Sequence, residues 1–299
     1  MLKELNKLLN NQVVFENGLG SSFIWHTILI PLWKNFFDDK QENVYVPGIP
    51  PELPKGSVVF MGMNPSMNEG KQYKKELGEA AGPQYLEFAK WDKEKTLLNV
   101  GKLLALEKKI EEKHIYGSEM EELKAYFTSK IEKEYLPPFS HIDLLFIRGT
   151  DQKKVINTYL KSKDKKVIEF VRKQLEITLQ LISDAEPKAI IVLNADVRKF
   201  LIRTKYRTIS KDLPFKFQPN DEPAFYDFIE INKKSIPFIG LRSISGQAQL
   251  DSITKQSLKD GLVKRLKVIL GQPIEEEIIR IQKEKINELE LKLNSYIPK

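Results

Sequence analysis

The chain has no cysteine and only three histidines, His26, His114 and His141, among its 299 residues. The absence of cysteine excludes disulfides, thiol nucleophiles, iron–sulfur clusters and cysteine zinc sites. The three histidines are scattered along the chain, without the spacing that metal ligands show. We therefore expect neither a metal nor any other cofactor.

Long apolar runs are missing as well. No stretch has the roughly 20 apolar residues that a membrane-spanning helix needs, and the first 18 residues lack the small-residue cleavage site of a signal peptide. The 41% of hydrophobic and 10% of aromatic residues still suffice for a sizeable core. These features predict a soluble, cytoplasmic protein without a membrane partner.

The charge balance is moderately basic, with 48 Lys and Arg against 41 Asp and Glu, a formal net charge of +7. Both signs are interspersed along most of the chain. Such a surplus permits binding to nucleic-acid phosphates but does not require it. A lysine-rich, solvated surface is the simpler explanation of the charge.

The stretch Gly56–Ser66 combines an apolar, partly β-branched run with an abrupt polar end at Asn64-Pro65-Ser66. This pattern predicts a buried strand that places a polar loop at its carboxyl end. In open α/β sheets, ligands bind beyond the carboxyl ends of the strands. Asn64 is therefore a candidate site residue, although Asn-Pro also begins ordinary turns.

Further strands and helices alternate through the second half of the chain. Apolar runs predict strands at 142–147 and 189–193, with an amphipathic helix at 167–184 between them. A hairpin at 225–241 and a helix at 251–270 follow. Strand–helix–strand units of this kind favour a mainly parallel sheet buried between helices, hence an α/β fold.

The predicted domain organisation has three parts. Residues 1–55 form an N-terminal helical extension, 56–271 an α/β domain with a helical insertion at 67–136, and 272–299 a C-terminal amphipathic helix. Ile279, Ile286 and Leu293 recur every seven residues in that last helix, but Gln282 interrupts the second seam of a coiled coil. A helix packed on the body fits better than a coiled-coil dimer, and the oligomeric state stays open.

Three segments, taken together, resemble the uracil-DNA glycosylase superfamily. Gly62-Met63-Asn64-Pro65-Ser66 looks like the first motif of its mismatch-specific and single-strand-selective branches, G-I-N-P-G or G-M-N-P-G. The run Glu186–Ala195 is similar to the third strand of the family, and 236–270 resembles its last strand, catalytic loop and closing helix. The resemblance covers 56–66 and 140–270, and the order of the segments is more specific than any one motif.

The resemblance implies a three-layer α/β/α sandwich around a short, mainly parallel sheet. It also implies removal of a damaged or deaminated base from DNA by cleavage of the N-glycosidic bond. The base would be flipped out of the duplex into a pocket. Catalysis would then depend on hydrogen-bond donors placed where negative charge develops on the departing base, and on an oriented water.

The same resemblance assigns catalytic roles to Asn64, which would hold the water, and to Ser243, which would assist the base. It assigns substrate binding to further positions: Gly62, Met63, Ser66, Tyr73, Asp143, Asn194, Ser245 and Gly246. Tyr73 is more readily explained as a packing residue, and Asn194 either lines the cleft or caps its helix.

Two departures from the family pattern bear on the activity. The last-strand loop usually reads H-P-S, whereas this chain has Ser243-Ile244-Ser245, and serine lacks the reach and charge of histidine. Asp143 stands where several relatives have an Asn that reads the uracil edge. An ionised Asp only accepts hydrogen bonds, so it suits a base edge with two N–H groups, as in guanine or a deaminated purine. Asp143 is also explained by pairing with a nearby Lys or Arg.

Two other functions remain open. A chain that keeps the fold but has lost the catalytic groups would be a nucleic-acid-binding protein, and the absent histidine favours this alternative. Asn64-Pro65-Ser66-Met67 also reads as a degraded N-P-P-Y motif of an amino-methyltransferase. No glycine-rich loop for S-adenosylmethionine accompanies it.

Overall fold

A computed structural model describes residues 24–37, 44–65, 89–91, 102, 105–106, 118–149, 151–219, 226–240 and 252–274. The chain divides into two compact units. The first comprises Met1–Glu122 and Pro137–Gln249, and the second Leu123–Leu136 and Leu250–Lys299. Most of the predicted insertion at 67–136 and of the predicted C-terminal helix at 272–299 lies outside the described residues.

The first unit contains a six-stranded sheet. The strands are β1 (Val58–Gly62), β2 (Phe139–Asp143), β3 (Ala189–Val192), β4 (Phe215–Gln218), β5 (Asp227–Ile231) and β6 (Lys234–Gly240). Their order in the sheet is β2-β1-β3-β6-β5-β4. The neighbouring strands β2, β1, β3 and β6 are parallel to one another, whereas the β6–β5 and β5–β4 pairs are antiparallel.

Both faces of the central strands are covered. Every residue of Val58–Met61 in β1 and of Ala189–Val192 in β3 is at most 3% exposed. Since successive side chains of a strand point to opposite faces, burial of all of them requires packing on both sides. The predicted α/β class with a short, mainly parallel sheet is confirmed.

The helix before β1 contributes to this core. A π-helical turn, Trp25–Leu29, leads into α1 (Ile30–Phe37). The wider turn comes immediately before Pro31, whose ring and missing N–H would disturb a regular α-helical turn. Trp25 and Trp33 are fully buried, and their indole N–H groups donate to the Pro47 and Tyr45 carbonyls.

Capped helices follow β2 and β3. Helix α3 (Gln152–Val155), which continues as a π-helical turn through Leu160, and α4 (Lys165–Ala185) begin after Asp151 and Asp164. Each Asp carboxylate accepts a backbone N–H of the first turn. Helices α5 (Ala195–Leu201) and α6 (Arg207–Ser210) lie between β3 and β4. The label α2 is given to Ser118–Lys130, which precedes β2.

The predicted hairpin is present, with Asn232 and Lys233 at its turn. Both residues have positive φ, 49° and 68°, as in the two-residue turns that match the twist of a hairpin. β4 was not predicted. It is a four-residue edge strand with only alternate apolar side chains, a pattern too short to separate from a loop by sequence alone.

The second unit is held together by polar side chains around helix α7 (Ser252–Leu270). Gln272 accepts the backbone N–H of Glu132 and donates to its carboxylate. Tyr126 donates to Asp260, and Gln256 hydrogen-bonds both residues. Phe127 and Leu262 are fully buried apolar residues of this unit.

The predicted second strand at 142–147 is wrong in its bounds, because β2 ends at Asp143. The buried residues Leu144–Ile147 continue as irregular chain. Two buried side chains of α4 supply backbone hydrogen bonds there: Gln174 Oε1 accepts from Phe146 N (3.1 Å), and Thr178 Oγ1 donates to Leu144 O (3.1 Å). The segment is apolar because it is buried, and the side chains of α4 supply part of the backbone hydrogen bonding that a neighbouring strand would otherwise supply.

This arrangement predicts the effect of Thr178→Val. The substitution keeps the shape but removes the donor to Leu144 O, and an unsatisfied buried carbonyl costs about 1–3 kcal/mol. Urea unfolding should show that loss in the free energy of unfolding. Thr158→Val, at an exposed position, serves as the control and should change it by less than about 0.5 kcal/mol. Equal effects of the two variants would contradict a structural role for Thr178.

Candidate functional site

The carboxyl ends of β2, β1, β3 and β6 meet at one edge of the sheet because these strands are parallel. From β1 the chain proceeds to β2 on one side and then returns to β3 on the other side of β1. The connections thus diverge between β1 and β3, and open α/β sheets bind ligands at such a switch point. Asn64 follows β1 here, and Asn194 follows β3.

The Asn64 side chain is fixed by two backbone carbonyls. Its Nδ2 donates to Gly149 O at 3.1 Å and to Pro65 O at 3.2 Å. Two acceptor partners identify this atom as the amide nitrogen, since a carbonyl oxygen there would face two other oxygens. Among the described residues, none donates to Asn64 Oδ1. This oxygen therefore keeps its capacity to accept a hydrogen bond.

Gly149 completes a two-way link with the loop after β1. Its N–H donates to Pro65 O at 3.1 Å, while its carbonyl accepts from Asn64. A Cβ at position 149 would lie 2.9 Å from Val155 Cγ2, so only glycine allows this close approach to α3. We call the hydrogen bonds joining Asn64, Pro65 and Gly149 the Asn64–Gly149 link.

Asp143 lies at the end of β2, directly beside Gly62 in the sheet register. A Cβ on Gly62 would collide with Asp143 Oδ1 and come within 2.9 Å of His141 Nε2. The resemblance assigns substrate binding to Gly62, and the absence of a side chain there leaves room for the carboxyl group of Asp143.

The carboxyl of Asp143 is partly buried, with 16% of its side chain exposed, and Oδ1 lies 3.5 Å from His141 Nε2. Burial raises the pKa of Asp143, whereas the nearby charges of His141 and Arg148 lower it, and burial dominates. The carboxyl thus stays protonated to a higher pH than an exposed Asp. In its protonated form it offers one donor and one acceptor, and in its ionised form only acceptors.

His141, Arg148 and Gln152 are site residues that sequence reasoning missed. His141 lies two residues before Asp143 on the same face of β2, which the predicted strand bounds did not include. Arg148 is 6% exposed, and its Nε donates to Val46 O at 3.2 Å. A buried cation near a buried carboxyl becomes recognisable only when the fold brings distant segments together.

Asn194 caps helix α5, which is one of the two roles expected for it. Its Oδ1 accepts from the backbone N–H groups of Asp196 and Val197 at 3.0 and 3.1 Å. Its amide also pairs with that of Gln152 through two hydrogen bonds of 3.1 and 3.3 Å. Its oxygen is thereby occupied, so only one amide hydrogen remains for a ligand.

The other predicted site residues are either buried in the core or lie outside the described part of the chain. Met63 is buried in the core at 3% exposure, and its carbonyl accepts from Leu145 N. Ser66, Tyr73, Ser243, Ser245 and Gly246 lie outside the described residues. Within the described part of the chain, no cluster of three His, Asp or Glu side chains is arranged for a metal ion, and no helix has the length and apolar character to cross a membrane.

The Asn64–Gly149 link predicts the outcome of Asn64→Asp. An ionised Asp would place an oxygen against the carbonyls of Pro65 and Gly149, whereas a protonated one could still donate a single hydrogen bond. We expect a loss of about 1–3 kcal/mol in the free energy of unfolding at pH 7. This loss should become smaller as the pH falls, because the protonated Asp can donate one hydrogen bond. Denaturant unfolding at neutral and acidic pH measures this difference. Asn35→Asp, at an exposed position of α1, is the control, and an equal loss there would contradict the link.

The raised pKa of Asp143 predicts how stability depends on pH. The folded state keeps the proton above the ordinary pKa of 3.8, so stability falls as the pH rises from that value through the raised pKa. Asp143→Asn lacks this ionisation. As the pH rises from 3.8 through the raised pKa, the free energy of unfolding of wild type should therefore fall relative to that of Asp143→Asn. At higher pH the difference between the two proteins should stay constant. Parallel unfolding free energies over the whole window would refute the raised pKa.

We compared the chain with protein families, curated proteins and solved structures. No family model, curated protein or solved structure matches the chain. A function for this protein must therefore be inferred from its own residues and their geometry.

Proposed function

We propose that this protein is a DNA-glycosylase-like hydrolase, which cleaves the N-glycosidic bond of a flipped damaged or deaminated base. The observation that carries the proposal is the state of the Asn64 amide. Both of its hydrogens are committed to backbone carbonyls at the switch point of a parallel sheet. Its oxygen is thereby oriented by rigid chain and remains able to accept a hydrogen bond from water.

In the proposed reaction the bond between the sugar C1′ and the base nitrogen breaks, and its electron pair leaves with the base. The water held by Asn64 Oδ1 forms the new bond to C1′, and its proton passes to the departing base. An amide oxygen orients water without removing its proton strongly, so the water must attack a sugar carbon that is already positive. Asn64 thus acts by positioning.

Asp143 would contact the edge of the base. When ionised it accepts two hydrogen bonds and suits an edge with two N–H groups, such as that of guanine or a deaminated purine. When protonated it presents one donor and one acceptor, which also matches uracil. Its raised pKa extends the second state to higher pH, so the uracil edge is a substrate to test beside the purines.

A second candidate function is DNA binding without base release. The sequence favours it through the serine that replaces the usual histidine. The packing of Asp143 against Gly62 and His141 favours it too, because that carboxyl already has neighbours from its own chain. The two functions differ in whether free base appears.

Base release from duplexes that carry uracil, hypoxanthine or xanthine tests the proposal. Wild type should release at least one of these bases, and Asn64→Ala should do so about a hundredfold more slowly, since a misplaced water costs about that factor. The control Asn35→Ala, at an exposed position of α1, should match wild type. Absence of base release by wild type, or equal rates for wild type and Asn64→Ala, would overturn the glycosylase proposal.

A further inference from the structure

A dense group of lysines begins at Lys153, four residues after Gly149 of the Asn64–Gly149 link. We call it the lysine surface and define it by the exposed residues Lys153, Lys154, Lys161, Lys163, Lys165 and Lys166. The stretch from 151 to 166 contains only two carboxylates, Asp151 and Asp164. Its formal charge is therefore +4, six lysines minus two aspartates, out of +7 for the whole chain.

The ammonium groups of the lysine surface have no carboxylate partner among the described residues. Asp151 and Asp164 accept backbone N–H groups, from Lys154 at 3.1 Å and from Lys166 at 2.7 Å. Lys161 Nζ donates to the neutral amide of Asn157 at 2.9 Å. Within the described part of the chain, the positive charge of this surface is therefore not neutralised by a carboxylate.

The position of the lysines disfavours a purely structural role. Lys165 and Lys166 lie in the first turn of α4, which contains no acidic residue, and the carboxylate of the preceding Asp164 caps this turn. The amino end of a helix carries partial positive charge, so cations there are unfavourable for stability. A bound polyanion would relieve this repulsion.

The lysine surface also borders the candidate site. Gln152, the first residue of α3, forms the amide pair with Asn194 at the carboxyl end of β3. Gly149, just before α3, accepts from Asn64. The lysines therefore continue outward from the residues that connect the ends of β1, β2 and β3.

We propose that the lysine surface binds the phosphodiester backbone of DNA beside the candidate site, an inference that rests on the proposed function in its choice of nucleic acid. Lysine is a flexible point charge that contacts phosphate without reading bases, so binding here would not depend on sequence. Insertion into a lipid bilayer would need large exposed apolar side chains. Among the described residues only Ile253 is of this kind, and it does not belong to the lysine surface. DNA therefore fits better than a membrane.

The salt dependence of binding to a short fluorescein-labelled duplex tests this proposal. The logarithm of the association constant falls with the logarithm of salt concentration by about 0.9 for each phosphate contact. The triple variant Lys154→Gln, Lys163→Gln and Lys166→Gln should therefore flatten the slope by roughly 2–3. Its thermal midpoint should stay close to that of wild type, because Lys154, Lys163 and Lys166 are exposed and have no carboxylate partner among the described residues.

A second triple variant, Lys188→Gln, Lys211→Gln and Lys233→Gln, is the matched control. These exposed lysines also lack carboxylate partners among the described residues. They precede β3, β4 and β6, which run in one direction, so they lie toward the opposite edge of the sheet. The control removes the same net charge and should leave the slope within about 0.5 of the wild-type value.

The outcomes separate this inference from the glycosylase proposal. Equal salt-dependence slopes for the two triple variants would overturn the proposal that the lysine surface binds DNA. Binding of wild type to phosphatidylserine vesicles but not to DNA would overturn it as well. Base release with unchanged slopes would overturn the surface alone and leave the glycosylase proposal standing. A flattened slope in the first triple variant, without base release by wild type, would support DNA binding by the lysine surface and overturn the glycosylase proposal.

Discussion

The candidate site depends on how the buried backbone of two irregular segments is satisfied. The segment 44–48 receives hydrogen bonds from the indoles of Trp25 and Trp33 and from Arg148. The segment 144–149 is held by Gln174 and Thr178 of α4. Gly48 N joins the two segments by donating to Phe146 O at 2.7 Å. Because buried polar backbone without partners is costly, these few side chains determine where Gly149 lies.

That position of Gly149 in turn determines the orientation of Asn64. If Gly149 O were elsewhere, the amide nitrogen would keep only the hydrogen bond to Pro65 O, and the direction of the amide oxygen would be less well determined. Pro65 strengthens the arrangement, since its ring packs against Gly48, where a Cβ would lie 2.5 Å from Pro65 Cγ. The loop after β1 is thus held from the 44–48 segment, the 144–149 segment and its own proline.

Charge is divided between two environments in this part of the molecule. Asp143 and His141 are partly buried and Arg148 is buried, so burial raises the pKa of the Asp143 carboxyl while the charges of His141 and Arg148 lower it. The lysines after Gly149 are exposed, where salt screens their charges. The first environment suits selection of a chemical group, and the second suits reversible attraction of a polyanion. Changes in one should therefore leave the other largely intact.

Local patterns suffice to predict the α/β class, the strand ending before Asn64, helix α4 and the β5–β6 hairpin, because each has a hydrophobic period or a turn signal within a short stretch. They also identify Asn64, Asp143 and Asn194 as candidate site residues. The contacts of these residues follow from the fold alone: the Asp143 carboxyl lies beside Gly62, Gly149 O accepts from the Asn64 amide, and Gln152 pairs with Asn194. Asn64 and Gly149 are 85 residues apart. Contacts at such separation follow from strand order and close packing, which no local pattern encodes.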